Sequence, residues 1–178
     1  MAIIHEKQLQ AKSLEDIAGL MIIAARTAPK GRGRDNIYSA MITGEHIEML
    51  AQKMREIGEL NDTAFFIRDA ANLEAAQVVV LLGARISTAG LKQCGYCGHT
   101  DCSEKEKFPE VPCAFNTVDL GIALGSAVAV AADHRADNRI MFSIGKAALA
   151  LNFLPADTHI IFGIPLSATA KNPFFDRK

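Results

Sequence analysis

The four cysteines of the chain stand at Cys94-x2-Cys97-x4-Cys102-x10-Cys113, and this spacing restricts the fold more than any other feature of the sequence. Clustered cysteines in a reducing compartment favour metal ligation over disulfides. Two thiolates three positions apart around Gly95 can face one centre, because glycine permits the tight turn that wraps backbone around an ion and aims amides at sulfur. Three candidate ligands then come from one loop. The ten residues between Cys102 and Cys113 can extend ~35 Å, so Cys113 has ample reach to close the site.

The donor set accepts more than one guest. Zinc and an oxidised four-iron cube each leave a charge of about -2 on four thiolates, so charge does not separate them. Structural zinc sites tend to pair two close knuckles, whereas here only Cys94 and Cys97 are close and the other two cysteines stand apart. The spacing therefore favours a 4Fe-4S cluster held by Cys94, Cys97, Cys102 and Cys113. Zinc is the alternative, with His99 available to replace a sulfur.

Around this segment the chain reads as a folded protein. Its 178 residues, 49% apolar and 22% charged, suffice for one domain over 1–178 with a substantial core. A net charge of -1 supplies no broad field for nucleic acid or anionic membrane. Met1 to Lys12 does not read as a secretory signal. The longest apolar and small-residue run, Leu120 to Ala132, is 13 residues, short of the roughly 20 of a membrane-spanning helix. A cytoplasmic location is expected.

Hydrophobic periodicity then sets the elements. Ser13, with Asp16 behind it, is placed to cap a helix with apolar Leu14, Ile17, Ala18, Met21, Ile22 and Ala25 at helical spacing, ending near Pro29. Lys30-Gly31-Arg32-Gly33-Arg34 is a glycine-rich basic loop, and Ile37 to Thr43 reads as a strand broken by Gly44. A helix with Ile47, Leu50, Ala51, Met54 and Ile57 inward follows, then a weaker one within 62–76. Gln77 to Gly83 has the β-branched run of a central strand buried on both faces. Periodicity fails from about 84 to 115, and a loop of that length in a compact domain calls for a functional reason. Beyond it, Asn116 and Asp119 are placed to cap a small-residue helix. Asn138 to Ser143 and Thr158 to Ile164 read as strands around a helix from about Lys146 to Leu154.

Two resemblances add to this reading. Cys94-Gly-Tyr-Cys97-Gly-His-Thr-Asp-Cys102, with Cys113-Ala-Phe-Asn-Thr-Val-Asp-Leu-Gly-Ile-Ala-Leu-Gly-Ser, Ala25 to Asp35 and Gly163-Ile-Pro-Leu-Ser167, resembles an uncharacterised bacterial and archaeal family described as containing a ferredoxin (4Fe-4S) domain. The order of elements, from helix, Ala-Pro and glycine-rich loop to a last strand ending in Gly-Ile-Pro, is similar to that of flavin-dependent nitroreductases. That second resemblance implies an α+β fold with a mixed sheet flanked by helices, into which the cysteine segment is inserted after a central strand. It also implies a homodimer around flavin mononucleotide (FMN), with Lys30, Arg32 and Arg34 meeting phosphate or ring carbonyls.

Other sites are weaker. The glycines of 30–34 expose amides and its cations add charge, so the loop is a candidate anion cradle, with a solvated turn as the alternative. Asp119 reads first as a capping residue and second as one that positions a cofactor. Ser143, Asp133 and His134 are nucleophile-type side chains that sequence cannot bring together. Phe174 and Phe175 are equally suited to a partner subunit and to their own core. The expectation is an iron-sulfur electron-transfer protein with an unnamed redox partner, its cluster potential tuned by the amides of Gly95 and Gly98. The alternatives are a zinc-stapled interaction domain and a cluster-based sensor.

Overall fold

The computed structural model describes residues 3–175; the ends of the expected 1–178 span lie outside them. In chain order the elements are α1 (Glu6–Thr27), β1 (Ile37–Thr43), α2 (Glu45–Leu60), α3 (Ala64–Leu73), β2 (Val78–Arg85), α4 (Cys102–Glu106), α5 (Ala114–Asp133), β3 (Asp137–Asn138), α6 (Phe142–Ala150) and β4 (Thr158–Ser167). The class is α+β. The strands form one open sheet in the order β1-β2-β4-β3. Every pairing in it is antiparallel, so the sheet is not mixed as expected.

β2 organises the layers. Its neighbours are β1 and β4, so both its edges are hydrogen-bonded, and side-chain alternation sends Val78, Val80 and Leu82 to one face and Val79 and Leu81 to the other. The first face is covered by α1 and α5, the second by α2, α3 and α6. Val78 to Leu82 are at most 1% exposed, and each such side chain contributes ~1.5–3 kcal/mol by leaving water. α6 lies unusually close to β4. A Cβ on Gly145 would stand 1.7 Å from the carbonyl oxygen of Ile161, and one on Gly163 would stand 2.2 Å from Ile144 Cγ2. Only glycine admits that approach.

Several expected boundaries move. α1 begins at Glu6, with His5 before it, so Ser13 is an exposed mid-helix residue. The added turns are made of good helix formers, and Gln10 Nε2 donates to the Ala168 carbonyl at 3.0 Å. The strand expected over Asn138 to Ser143 shrinks to Asp137–Asn138 plus a bridge from Met141 to Gly163, because α6 already starts at Phe142. Short apolar runs do not distinguish buried strand from buried helix; here Ser143 and Ile144 bury as parts of a helix turned toward Asp69 and β4. At the end of the described chain Phe174 is buried with α2, α3 and α6, whereas Phe175 is exposed beneath the Arg139 guanidinium.

Candidate cofactor site

The cysteine segment leaves the sheet where the β2–β4 register shifts at Ala84 and Arg85. Gln93 and Gly95 both have left-handed φ, 58° and 63°, and this reverses the chain on either side of Cys94. The Gly98 N–H donates to the Gly95 carbonyl at 3.0 Å, closing the turn that carries Tyr96 and Cys97. That amide is therefore engaged within the turn and not aimed at sulfur, which corrects the expectation for Gly98. Next, Asp101 caps α4 by accepting from the Glu104 N–H at 2.8 Å, and Glu104 accepts from the Thr100 N–H and hydroxyl at 2.6 Å. These two Thr100 bonds hold the Glu104 carboxyl below its ordinary pKa. Cys102 thus opens a short helix whose first turn is fixed on both sides.

All four cysteines carry free thiols and line one small pocket, which they share with Leu91, His99 and Ala114. Cys94, Cys97 and Cys102 are partly exposed and Cys113 is buried. Cys102 Sγ approaches the Leu91 carbonyl at 4.0 Å. Among the described residues, no three His, Cys, Asp or Glu side chains are drawn together as closely as one metal ion requires. A tetrahedral zinc with arms of ~2.3 Å would bring its sulfurs to ~3.8 Å from one another. Cys113 is the N-cap of the 20-residue α5, and its sulfur accepts from the Asn116 N–H. His99 stacks on Phe108 at 5.1 Å and Tyr96 on Phe115 at 6.4 Å.

The glycine-rich loop lies against this segment. Arg32 Nη1 donates to the carbonyls of Ala89 and Gly90 at 2.9 and 3.2 Å, and Arg34 Nη1 donates to that of Thr88 at 3.4 Å. Arg32 itself has φ 58°, a strained conformation for a non-glycine residue that these bonds help to hold. Lys30 Nζ donates to the carbonyls of Ala25, Arg26 and Ala28 at 2.7–2.9 Å, so its three N–H donors serve the end of α1. The amides of Gly33 and Arg34 close the turn onto Lys30 and Gly31. Asp119 Oδ1 accepts from the Gly31 N–H at 2.9 Å. The amides of Gly31, Gly33 and Arg34 and the Lys30 ammonium, on which the expected anion cradle relied, already have acceptors. What remains is the unspent donors of Arg32 and Arg34. Below the loop, Asp35 accepts from Arg26 and from the Ile37 N–H. Burial pushes its carboxyl up, but those partners outweigh burial and hold it below the ordinary value.

Three residues that the sequence misjudged emerge here. Asn116 is not the N-cap but sits at the third position of α5, where its Oδ1 accepts from the N–H groups of both Cys113 and Ser87 at 3.1 Å. Asp119 is not a cap either; it holds Gly31. Lys105 was not singled out at all, yet it is 3% exposed on the helix that Cys102 opens. The Asn-x-x-Asp pattern signalled a helix start but could not distinguish a cap from a long-range acceptor. Ser143 donates to Asp69 at 2.7 Å, whereas Asp133 and His134 lie exposed at the end of α5. No nucleophilic triad forms from these three.

Residues 110–177 match the family described as uncharacterized protein containing a ferredoxin domain, a stretch that includes Cys113 and not the other three cysteines. A protein of Archaeoglobus fulgidus, described only as uncharacterized, is 41% identical over 182 positions, covering 98% of this chain and 97% of its own. The chain belongs to this ferredoxin-domain family. Its fold is that of nitroreductases. Nitroreductase A from Vibrio parahaemolyticus aligns with 92% of the chain at a TM-score of 0.58 and 16% identity. A putative nitroreductase from Desulfovibrio desulfuricans, solved in complex with FMN, aligns with 92% at 0.56 and 15% identity. The chain spans 62% of the Vibrio protein's length and 79% of the Desulfovibrio protein's.

Proposed function

We propose that this member of the ferredoxin-domain family is a cytoplasmic electron-transfer protein that holds a 4Fe-4S cluster through Cys94, Cys97, Cys102 and Cys113. The observation that carries the reading is that all four free cysteines line one pocket. Such a cluster, when bound, supplies one-electron transfer. The chain's own groups would then do the rest. The start of α5 would carry Cys113, and the Gly95 turn would bring Cys94 and Cys97 to one side. Anaerobically purified protein should be brown, contain iron and acid-labile sulfide in near-equal amounts, and bleach on reduction. Colourless protein with one zinc per chain would instead establish the zinc-stapled domain.

A second reading, that the domain also takes FMN, is favoured by its likeness to the FMN-bound Desulfovibrio fold. The residues left to meet it are Arg32 and Arg34, since Lys30 is occupied. Release of a yellow fluorescent compound on denaturation tests this. The partner favoured for assembly is a second copy of the chain. α1 and α5 pack together, yet Leu20, Ile23, Val118 and Ile122 on them are exposed, an apolar surface suited to self-association. Light scattering should give a dimer mass, and Ile122→Lys should reduce it to a monomer.

A further inference from the structure

Cys113 differs from the other three cysteines. It is the buried one, it lies on a long helix and not in the loop, and ten residues separate it from Cys102. Its sulfur therefore depends on how the start of α5 is seated against the other end of the segment. That seating runs through one atom. Asn116 Oδ1 accepts from the Cys113 N–H and from the Ser87 N–H, both at 3.1 Å, and Asn116 is 2% exposed. Ser87 stands two residues beyond the end of β2, so the oxygen joins the exit of the cysteine segment to its return across 26 residues of chain. The Cys113 bond is the local capping bond of α5, and the Ser87 bond ties that capped start to the far end of the segment, so one buried acceptor sets both the first turn of α5 and where it sits.

We infer that Asn116 is the positioning residue for the fourth thiolate, setting where Cys113 stands relative to the loop that carries Cys94, Cys97 and Cys102. The inference rests on the four-cysteine reading above. Outer partners of this kind orient metal ligands without touching the metal. An amide oxygen suits the position because it accepts twice and adds no charge beside the thiolates. An aspartate would keep both acceptances and bring an extra negative charge, which disfavours the added electron of the reduced state.

The tether is testable with and without metal. In metal-free protein, Asn116→Ala should raise amide exchange at Ser87 and Cys113 about tenfold, the factor equivalent to ~1.4 kcal/mol. It should also make Cys113 alkylate faster, with Cys94 and Cys97 unchanged. In protein loaded with iron and sulfide under anaerobic conditions, Asn116→Ala should lose the iron at the Cys113 corner and give the paramagnetic signature of a three-iron cluster. Asn116→Asp should restore four irons and lower the reduction potential relative to the parent. Unchanged exchange and alkylation in Asn116→Ala, or a full four-iron cluster at the parent's potential, would overturn the inference while leaving the four-cysteine reading intact. If the parent takes up no iron, the four-cysteine reading falls, and the exchange and alkylation data still decide the tether.

Discussion

Replacing Asp119 by alanine removes the acceptor that holds Gly31. The carboxylate is 5% exposed and accepts the Gly31 N–H at 2.9 Å across 88 residues of chain. A charge-assisted bond of this kind is worth ~1.5–3 kcal/mol, and the orphaned amide adds desolvation if it stays buried. Relaxation of the loop toward water returns part of that loss, so about 2 kcal/mol is expected. For a chain of this length ~1 kcal/mol shifts the melting midpoint by ~2–4 °C, so Asp119→Ala should melt roughly 4–8 °C below the parent. The loop itself should also loosen. Lys30, Arg32 and Arg34 are trypsin sites, and limited proteolysis at fixed time should cut between 30 and 34 sooner in the variant. Asp119→Asn retains an acceptor oxygen and should recover most of both effects. A melting midpoint within about 1 °C of the parent, with unchanged cleavage, would show that Asp119 does not hold the loop.

Further outcomes follow from single residues. Cys102→Ser should lower bound metal measured by elemental analysis, whether iron or zinc is present, and unchanged metal content would refute the ligand assignment. Gly145→Ala forces a methyl group to 1.7 Å from the Ile161 carbonyl, so α6 must lift from β4; a loss of at least ~3 kcal/mol in urea unfolding is expected, as for severe overpacking. Asp35 has a lowered pKa, so its contribution is present above about pH 4 and lost as pH falls through the lowered value. Asp35→Asn should therefore flatten the acid limb of the stability curve, read by denaturant titration between about pH 2 and pH 5.

Much of the fold was legible because local pattern and tertiary demand agreed. The run from Val78 to Leu82 can be buried on both faces only by a central strand, and β2 is one. The end of β1 at Thr43 was set by Gly44, whose φ of 58° breaks the strand. Other residues were misread because their partners are remote in sequence. Asp119 and Gly31 are 88 positions apart, and Asn116 and Ser87 are 29 apart. Nothing local distinguishes these long-range acceptors from helix caps. Lys30 illustrates the converse error, since its partners lie two to five residues back and were overlooked in favour of a distant anion.

By itself, the sequence determined the chemistry available: four thiols in a window too irregular to be anything but a loop, on a chain with enough apolar residues to fold around it. Tertiary structure decided the use of those groups. It turned the thiols toward one cavity, closed the glycine-rich loop onto the carbonyls of Thr88, Ala89 and Gly90, and placed Asn116 between the two ends of the segment. The reason is physical. Donor type is a property of a residue, whereas the direction and occupancy of its bonds belong to the packed chain, which satisfies buried amides with whatever acceptor lies within reach.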